Sequence, residues 1–317
     1  MVEASGVRVL WEDLPSHVRV AVEEILGSPV VAAVSQRGGF SPGSADRVVT
    51  ADGGRAFVKA VSAAANPHSP GLDRREIAVT SALPPSAPTP RLLGSHDDQG
   101  EGDDWVALVL TDVEGRQPRL PWQAEELEAV RAAFAELAAT ALTDGLVLLP
   151  ETGPGFAEDF AGWRRLQADP DPGLDPWATR HLERLAEAAA RAGTALEGDS
   201  LVHGDGRADN LLLRPDGSVV VVDWPWATRG AGWFDRLALL VNVGLNDSAA
   251  PLEDLLAAWL PEVAADDVDA VLAGLAGYFC DVARRPDPPG LPTVRAFQRA
   301  QGEVVLRWLK QRWSDAP

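Results

Sequence analysis

The sequence predicts an α+β protein of two lobes: a small N-terminal lobe of antiparallel β-sheet that carries a helix, and a larger, mainly helical C-terminal lobe. Three observations support this architecture. Short β-prone runs separated by turns occupy the first 115 residues, Ala, Leu and Glu recur at helical spacing after residue 124, and a β-prone hairpin lies between residues 211 and 222. We therefore expect an N-terminal lobe at 1–115 and a C-terminal lobe at 116–317.

Composition limits the classes of function. A chain of 317 residues that is 46% hydrophobic can bury a substantial core. Its formal net charge of −19 argues against nucleic acid and anionic membranes as partners, because both attract basic surfaces. Cys280 is the only cysteine, which excludes an intramolecular disulfide. No segment resembles a signal peptide or a membrane span, so we expect a cytoplasmic protein. The sequence does not indicate an oligomeric state.

The elements of the N-terminal lobe follow from its apolar pattern. Residues 12–26 carry Val18 and Val22 at helical spacing and predict an amphipathic helix. A second helix is predicted at 73–83, after a loop at 66–71, and it ends before Pro84 because proline interrupts helices. The strands of the sheet are expected at 30–34, 47–50, 56–60, 91–94 and 105–110.

A glycine-rich loop at 36–43 joins the first two predicted strands. Glycines allow backbone amides to approach phosphate oxygens closely, and a serine hydroxyl adds a donor. Gly38, Gly39 and Ser41 are therefore candidates for binding phosphate groups. The same composition is also typical of an ordinary hairpin turn, and the loop lacks the G-x-G-x-x-G spacing of protein kinases.

Lys59 is the notable residue of the third strand. Only Lys59 and Lys310 are lysines among 28 basic residues, so position 59 favours an ammonium group over a guanidinium group. A compact ammonium fits between the α and β phosphates of a nucleotide. Glu76 lies seventeen positions later on the predicted helix, on the face of Val79, and is expected to pair with Lys59. The alternatives are an exposed strand lysine and a solvated glutamate.

Residues 111–115 follow the last strand of the sheet and are predicted to form a hinge between the lobes. Backbone groups at Thr111 and Val113 are the candidate contacts for a nucleobase. Beyond the hinge, helices are expected at 124–142, 155–167, 176–193, 252–260, 266–284 and 293–313.

The segment 200–223 concentrates polar residues between apolar runs, and it is the strongest candidate for chemistry. Asp205 and Asn210 precede the predicted hairpin, and Asp223 follows it. Protein kinases have this order: a catalytic Asp, then an Asn and an Asp that bind Mg²⁺. We assign Asp205 to accept the proton of an attacking hydroxyl. Asn210 and Asp223 are assigned to Mg²⁺, which prefers oxygen ligands. His203 is interpreted as structural.

Written as His-Gly-Asp-x-x-x-x-Asn, this loop resembles that of the aminoglycoside phosphotransferase family, small-molecule kinases with a protein-kinase-like fold, which have Gly where protein kinases have Arg. The resemblance implies Mg²⁺-dependent transfer of the γ-phosphoryl group of ATP or GTP to a small-molecule hydroxyl, for example of an aminoglycoside or another amine-bearing antibiotic or metabolite. It further implies that Asp235 accepts hydrogen bonds from the catalytic-loop backbone. A helix-capping role is the alternative for Asp235.

Arg207 lies two residues after Asp205 and has two interpretations. It either neutralises the transferring phosphoryl group or belongs to a structural ion pair. A protein kinase is disfavoured, because the twelve positions from Asp223 to Asp235 leave no room for a peptide-docking activation segment.

Two other classes of function remain as alternatives. A metal-dependent hydrolase could use His203, Asp205, Asp209 and Asp223, because such a cluster can bind Zn²⁺ or Mn²⁺. That hypothesis leaves Lys59 and the glycine-rich loop unexplained. A non-catalytic nucleotide-binding module is the second alternative, although the chain retains all three residues that such a module could lose.

The acidic residues are concentrated late in the chain. Residues 235–287 contain 10 acids and 3 bases. Because the resemblance implies that this part walls the acceptor site, we expect an acceptor that carries an amine. Asp266, Asp267 and Asp269 are the candidates for attracting it.

Overall fold

A computed structural model describes residues 6–36, 38–100 and 102–314. The N-terminal lobe is an antiparallel five-stranded sheet with strand order β1-β2-β3-β5-β4. The strands are β1 (Val30–Ser35), β2 (Ser44–Thr50), β3 (Arg55–Val61), β4 (Leu92–Asp97) and β5 (Val106–Thr111). The helices of this lobe are α1 (Ser16–Leu26) and α2 (Ser69–Ala82). The predicted sheet lobe with a helix is confirmed.

The register of the sheet sends Lys59 to the face opposite α1. Lys59 pairs with Ala45 on β2 and with Leu108 on β5. Successive side chains of a strand point to opposite faces, so Val58 packs into the cluster that includes Val22 of α1. Lys59 therefore faces α2 and the interior between the lobes.

Both helices of the sheet lobe begin at positions set by proline. Pro15 directly precedes α1, whereas residues 11–13 form a separate 3₁₀ turn inside the range predicted as helix. Helix α2 begins at Ser69, because Pro70 lies in its first turn, where the missing amide leaves no hydrogen bond unmade. The predicted loop at 66–71 is therefore too long by three residues.

The larger lobe is mainly helical, as predicted. Its helices are α3 (Ala124–Ala138), α4 (Thr152–Gly155), α5 (Ala157–Phe160), α6 (Gly162–Ala168), α7 (Pro176–Arg180), α8 (Leu182–Ala190), α9 (Ala192–Ala195), α10 (Phe234–Asn246), α11 (Leu252–Trp259), α12 (Ala265–Ala283) and α13 (Val294–Ser314). The continuous helices predicted at 155–167 and 176–193 are wrong. Phe156, Ala161 and His181 have ψ values of 5°, 5° and 17°, which interrupt the helical backbone.

Four short strands hold the segment that carries the candidate chemistry. They are β6 (Ser200–Val202), β7 (Leu211–Leu213), β8 (Val219–Val221) and β9 (Thr228–Gly230). β7 and β8 form the predicted antiparallel hairpin, and β6 pairs with β9 in a two-stranded sheet that the sequence analysis did not predict. Among the described residues, no helix is long and apolar enough to span a lipid bilayer.

Candidate active site

A cavity of about 420 Å³ lies between the five-stranded sheet and the β7–β8 hairpin. Its volume falls within the usual range for small-molecule sites. All the predicted donor-site residues and both predicted metal ligands line it: Gly38, Gly39, Ser41, Lys59, Glu76, Thr111, Val113, Asn210 and Asp223. The fold therefore brings together residues that lie far apart in the sequence.

Lys59 connects the two lobes through charge. Its Nζ donates a hydrogen bond to Glu76, and a second one, of 2.7 Å, to Oδ1 of Asp223. The Lys59 side chain is 11% exposed and that of Glu76 is 2% exposed, so neither is the solvated surface residue of the alternative interpretation. Burial alone would lower the pKa of Lys59, but the carboxylates of Asp223 and Glu76 outweigh it and raise the pKa above its ordinary value. The ammonium charge is therefore permanent.

Asp223 stays ionised in the cavity and has an unusual backbone. Burial would raise the pKa of its carboxyl group, but the ammonium of Lys59 outweighs burial and keeps the pKa below its usual value. Its φ of 69° lies in the left-handed region, which non-glycine residues seldom adopt and which is often found at functional sites. This backbone turns the carboxylate of Asp223 toward Lys59.

Asp235 anchors the predicted catalytic loop, which comprises residues 203–210. The backbone amides of His203 and Gly204 donate hydrogen bonds of 2.7 Å and 2.9 Å to its two carboxylate oxygens. The capping alternative does not describe this contact, because Asp235 bonds to the loop and its own helix has no side-chain cap. Burial raises the pKa of Asp235.

His203 is buried, and both of its ring nitrogens form hydrogen bonds. Its Nε2 donates to the carbonyl of Val222 at 3.0 Å, and its Nδ1 accepts from the amide of Asp205 at 3.3 Å. Both ring nitrogens are therefore engaged with backbone groups, and the residue is 0% exposed. A metal-dependent hydrolase that uses His203 as a ligand does not fit this arrangement.

Asp205 and Asn210 form one unit. The Asn210 Nδ2 donates to Oδ2 of Asp205 at 2.9 Å and to its carbonyl at 3.1 Å. Because the amide nitrogen faces Asp205, the Oδ1 of Asn210 is left to accept a hydrogen bond or to coordinate a cation. Burial raises the pKa of Asp205, although the charge of Arg207 opposes that effect.

Arg207 is surrounded by acidic and aromatic side chains. Its guanidinium forms two hydrogen bonds of 3.1 Å with Asp209 and lies 3.2 Å from Oδ2 of Asp205. Its Cζ also lies 5.4 Å from the ring centroid of Phe40 and 5.5 Å from that of Phe297. This geometry favours the structural ion-pair alternative and ties the glycine-rich loop to α13.

The predicted hinge borders the cavity. Oγ1 of Thr111 accepts a hydrogen bond of 2.9 Å from the amide of Arg91, and the carbonyl of Val113 accepts one of 3.2 Å from Arg47. Arg47 also binds Asp112 through its Nε at 2.7 Å. The amide of Val113 has no acceptor among the described residues, so it is available to a nucleobase.

Among the residues of the cavity wall that the sequence did not predict are two that carry a charge facing the predicted donor site. Arg8 and Asp73 both line the cavity. Burial raises the pKa of Asp73 to about 7, against the opposing charge of Lys59, and its Oδ2 has no hydrogen-bond partner among the described residues. Because Asp73 lies three residues before Glu76, helical spacing could have indicated that both share a face. No local pattern marks Arg8.

The three acidic residues predicted to attract the acceptor lie at the start of α12, and one of them is engaged by other side chains. Asp269 accepts hydrogen bonds from Arg312 at 2.5 Å and from Nε1 of Trp313 at 2.9 Å. At the other end of α12, burial raises the pKa of Tyr278 to about 12, and the charges of Asp159 and Asp205 add to this effect. Asp266 and Asp267, predicted together with Asp269 to attract the acceptor, lie in the first turn of that helix.

The length of α12 separates those acids from Tyr278. A helix rises 1.5 Å per residue, so Asp266 lies about 18 Å from Tyr278 along the axis. None of Asp266, Asp267 and Asp269 lines the cavity. Direct contact of these three residues with a molecule in the cavity is therefore excluded, and their attraction of the acceptor over a longer distance stays a prediction.

The arrangement suits phosphoryl transfer. A permanent cation, an ionised carboxylate and an amide oxygen converge beside a partly buried carboxylate, and phosphoryl transfer depends mainly on such placement and charge stabilisation. Fold and site together define a kinase-like small-molecule phosphotransferase.

Comparison with protein families agrees with this class. The model of the phosphotransferase enzyme family matches residues 39–278. The chain belongs to this family. Among curated protein sequences, none is significantly similar to it.

Solved structures share the fold at low sequence identity. Choline kinase LicA from Streptococcus pneumoniae is 13% identical, with a TM-score of 0.60 and coverage of 95% of this chain and 100% of that chain. A microcompartment-associated aminopropanol kinase is 13% identical, with a TM-score of 0.61 and coverage of 92% and 98%. An aminoglycoside phosphotransferase from Alicyclobacillus acidocaldarius is 17% identical, with a TM-score of 0.53 and coverage of 90% and 92%.

Proposed function

We propose that this protein transfers the γ-phosphoryl group of ATP or GTP to a hydroxyl group of a small molecule. The observation that carries the proposal is the continuous contact from Glu76 through Lys59 to Asp223, in one cavity with Asn210. Related solved structures support a nucleotide donor, since one aminoglycoside phosphotransferase was solved with ADP and another with GDP and kanamycin.

The donor site is proposed to use backbone and side-chain groups in three places. The hinge residues Thr111 and Val113 receive the nucleobase, and Lys59 contacts the phosphates. The loop containing Gly38, Gly39 and Ser41 covers the phosphates with its amide groups. The lobe boundary after residue 115 belongs to the same proposal, because it puts the hinge at the junction of the lobes.

Mg²⁺ fits the polar groups that face the cavity. The Oδ1 of Asn210 is not used by Asp205, and the ionised carboxylate of Asp223 has one oxygen bonded to Lys59 and another to offer. Oxygen donors of this kind suit a hard cation. Asn210 and Asp223 would hold the ion, which would neutralise phosphate charge when bound.

Asp205 is proposed to act on the acceptor. Its carboxylate takes the proton from the acceptor hydroxyl, the acceptor oxygen forms a bond with the γ phosphorus, and the bond to the β-phosphate oxygen breaks to release the nucleoside diphosphate. His203 and Asp235 hold the loop that carries Asp205, and Arg207 fixes its carboxylate through the shared ion pair.

The acceptor is proposed to be an alcohol that carries an amine. Two related structures are a choline kinase and an aminopropanol kinase, and choline and aminopropanol are both alcohols with a nitrogen cation. Aminoglycosides belong to the same chemical class. The chain's net charge of −19 would favour such a cation over an anion. Antibiotic resistance and primary metabolism are both compatible with this class.

The test is a screen for release of nucleoside diphosphate. ATP and GTP with Mg²⁺ are offered together with amino alcohols, aminoglycosides, neutral sugars and acidic alcohols, and the phosphorylated product is identified by mass spectrometry. We expect acceptor-dependent turnover with an amine-bearing alcohol. The matched control is Asp205→Asn, which should abolish it. If no acceptor is phosphorylated with either nucleotide, or turnover is unchanged in the control, the proposed function is wrong.

A further inference from the structure

Residues 6–10, here called the N-terminal segment, are fixed between the two lobes. The amide of Val7 donates to the carbonyl of Gly290 at 2.9 Å, and the amide of Val9 donates to the carbonyl of Gly43 at 3.3 Å. Gly6 approaches Ser41 so closely that an added Cβ would lie 2.2 Å from the Ser41 carbonyl oxygen. The segment therefore lies against the glycine-rich loop along its length.

Arg8 reaches from this segment into the nucleotide cavity. Its guanidinium donates to the carbonyl of Ser41 at 2.9 Å and to the carbonyl of Gly38. Its Nε is buried without a hydrogen-bond partner among the described residues. The side chain lines the same cavity as Lys59 and Asp223.

The positive charge of Arg8 has no carboxylate of its own. No carboxylate oxygen of the described residues lies within 4.0 Å of its nitrogens. The nearest acidic groups that act on it electrostatically are Asp223 and Asp46. Both are already engaged, because Asp223 binds Lys59 and the two oxygens of Asp46 accept from Ser35 and Ser44.

The partly buried guanidinium of Arg8 contacts only carbonyl groups among the described residues, so no negative charge of these residues is paired with its positive charge. Buried charges are normally paired, and arginine favours phosphate because its planar fork can donate two parallel hydrogen bonds. Arg207, another partly buried arginine near this cavity, has that pairing with Asp209. Arg8 therefore has the unsatisfied charge that an entering phosphate would satisfy.

We propose that Arg8 is a second cationic contact for the terminal phosphates of the donor nucleotide, on the side of the glycine-rich loop, while Lys59 approaches from the sheet. The inference rests on the proposed function, since it names a residue of the same donor site. The family match begins at residue 39, so the N-terminal segment lies outside the matched range.

The position of Arg8 gives it an electrostatic role. Its charge adds to that of Lys59 around phosphate oxygens whose negative charge is spread during transfer. Its hydrogen bonds to Gly38 and Ser41 hold the loop and use two of the five N–H donors of the guanidinium, so the terminal nitrogens keep donors for the nucleotide. Removing Arg8 should therefore weaken the binding of ATP most and of ADP less, and it should leave the binding of AMP nearly unchanged.

The experiment measures binding of adenosine, AMP, ADP and ATP, or the guanosine series if GTP is the donor, by calorimetry with Mg²⁺. Arg8→Ala and Arg8→Gln are expected to weaken ATP binding roughly tenfold or more and ADP binding less, while nucleoside binding stays unchanged. Arg8→Lys keeps the charge and should retain most of the ATP affinity. The matched control is Arg75→Ala, which removes an exposed arginine from α2.

The comparison of Gln with Lys separates charge from loop support. The inference is overturned if Arg8→Gln binds ATP as tightly as the wild type. It is also overturned if the variants lose affinity for the nucleoside and for ATP equally, because Arg8 would then only hold the loop in place. If Arg8→Ala fails to fold, the Lys and Gln variants decide the question alone. If the wild type binds ATP and the Arg8 variants bind it equally well, only this inference is wrong. If the wild type binds no nucleotide, the proposed function is wrong as well.

Discussion

Asp205 and Asp223 are both partly buried carboxylates, and their surroundings move their pKa values in opposite directions. Burial raises the pKa of Asp205, whereas the ammonium of Lys59 outweighs burial and lowers the pKa of Asp223. Two carboxyl groups with separated pKa values are typical of sites that assign them different roles. The pattern fits proton acceptance by Asp205 and cation binding by Asp223.

Asp205→Asn should lower kcat by roughly 100-fold or more, because the amide cannot accept the hydroxyl proton. The Asn210 side chain can still donate to the new amide oxygen, so the loop geometry and the affinity for ATP should change little. Steady-state kinetics and nucleotide calorimetry on the same preparation check both halves. Wild-type turnover in this variant would remove Asp205 from its proposed role.

Lys59→Arg preserves charge, but its wide guanidinium should misplace the phosphates and break the fit to Glu76 and Asp223. We expect kcat/KM for the donor to fall roughly tenfold or more, since one charge-assisted hydrogen bond contributes about 1.5–3 kcal/mol. The control is Lys310→Arg at the only other lysine, which binds Asp175 at 2.7 Å and does not line the cavity. Equal activity of both variants would contradict the geometric argument.

Asp73 makes folding stability depend on pH. Its folded-state pKa is about 7, against 3.8 for the ordinary side chain, because burial disfavours its charge. Between these values the folded protein holds a proton that the unfolded chain has lost. Raising the pH through that window therefore destabilises the fold, and the full cost is present above pH 7.

Asp73→Asn removes this ionisation while keeping the shape of the neutral acid. Relative to the wild type, the variant should gain more Tm at pH 8 than at pH 5. Thermal melts in EDTA at the two pH values measure the difference. Asp144→Asn, at an exposed position, is the control and should shift Tm equally at both. A gain for Asp73→Asn that is the same at pH 5 and pH 8 would show that Asp73 is ionised throughout.

Residues within a continuous motif could be predicted from the sequence, and residues brought in by distant packing could not. Asp205, Asn210 and Asp223 lie on one loop and hairpin, so their spacing alone places them near each other. Phe40 and Phe297 meet with ring centroids 5.0 Å apart across more than 250 positions, and Arg8 belongs to an irregular segment. Such contacts leave no local periodicity to read.

At the scale of elements, the catalytic loop depends on the closeness of two backbone segments. Gly204 has a φ of 85°, and an added Cβ would lie 2.5 Å from the carbonyl oxygen of Trp226. Trp226 precedes β9, the partner of β6, so this contact closes the loop between the paired strands. The glycine of the His-Gly-Asp sequence is therefore required by both conformation and space.

Gly204→Ala should be compared with Gly217→Ala. Gly217 has a similar φ of 83°, but nothing lies within 4 Å of an added Cβ. Its variant should cost about 1–2 kcal/mol of unfolding free energy, the usual strain of a left-handed L-residue, with activity retained. Gly204→Ala should cost more and also lower kcat, because the loop must move away from Trp226. Denaturant titration and kinetics test this, and equal effects of the two variants would contradict it.

Element boundaries show where sequence patterns stop being informative. The apolar periodicity of 155–167 and 176–193 is helical, yet the chain turns at Phe156, Ala161 and His181. These turns accommodate close packing: an added Cβ at Gly162 would lie 2.1 Å from the carbonyl of Gly277 on α12. The β6–β9 pair also escaped prediction, because residues 203–227 separate its two strands, whereas a short turn marks the β7–β8 hairpin.

At the scale of the whole molecule, much of the late acidic charge is neutralised internally. Asp281, which is fully buried, binds Arg165, Arg284 and Arg285. Arg312 binds Glu253 and Asp269. A count of acidic residues along the sequence overstates the electrostatic field at a site when arginines from other helices neutralise those residues. Here the sequence did not show that arginines of α6 and α13 bind them.

Electrostatic attraction of a cationic acceptor should therefore come from the overall charge of −19 and not from the start of α12. The KM for an amine-bearing acceptor should rise with ionic strength, since exposed charges are screened over about 8–10 Å at physiological salt. The double variant Asp266→Asn and Asp267→Asn should leave this KM nearly unchanged, because neither residue lines the cavity that contains the predicted donor site. Acceptor kinetics at several salt concentrations, for wild type and double variant, provide the measurement. A severalfold rise in KM in the double variant would restore the first turn of α12 as part of the acceptor site.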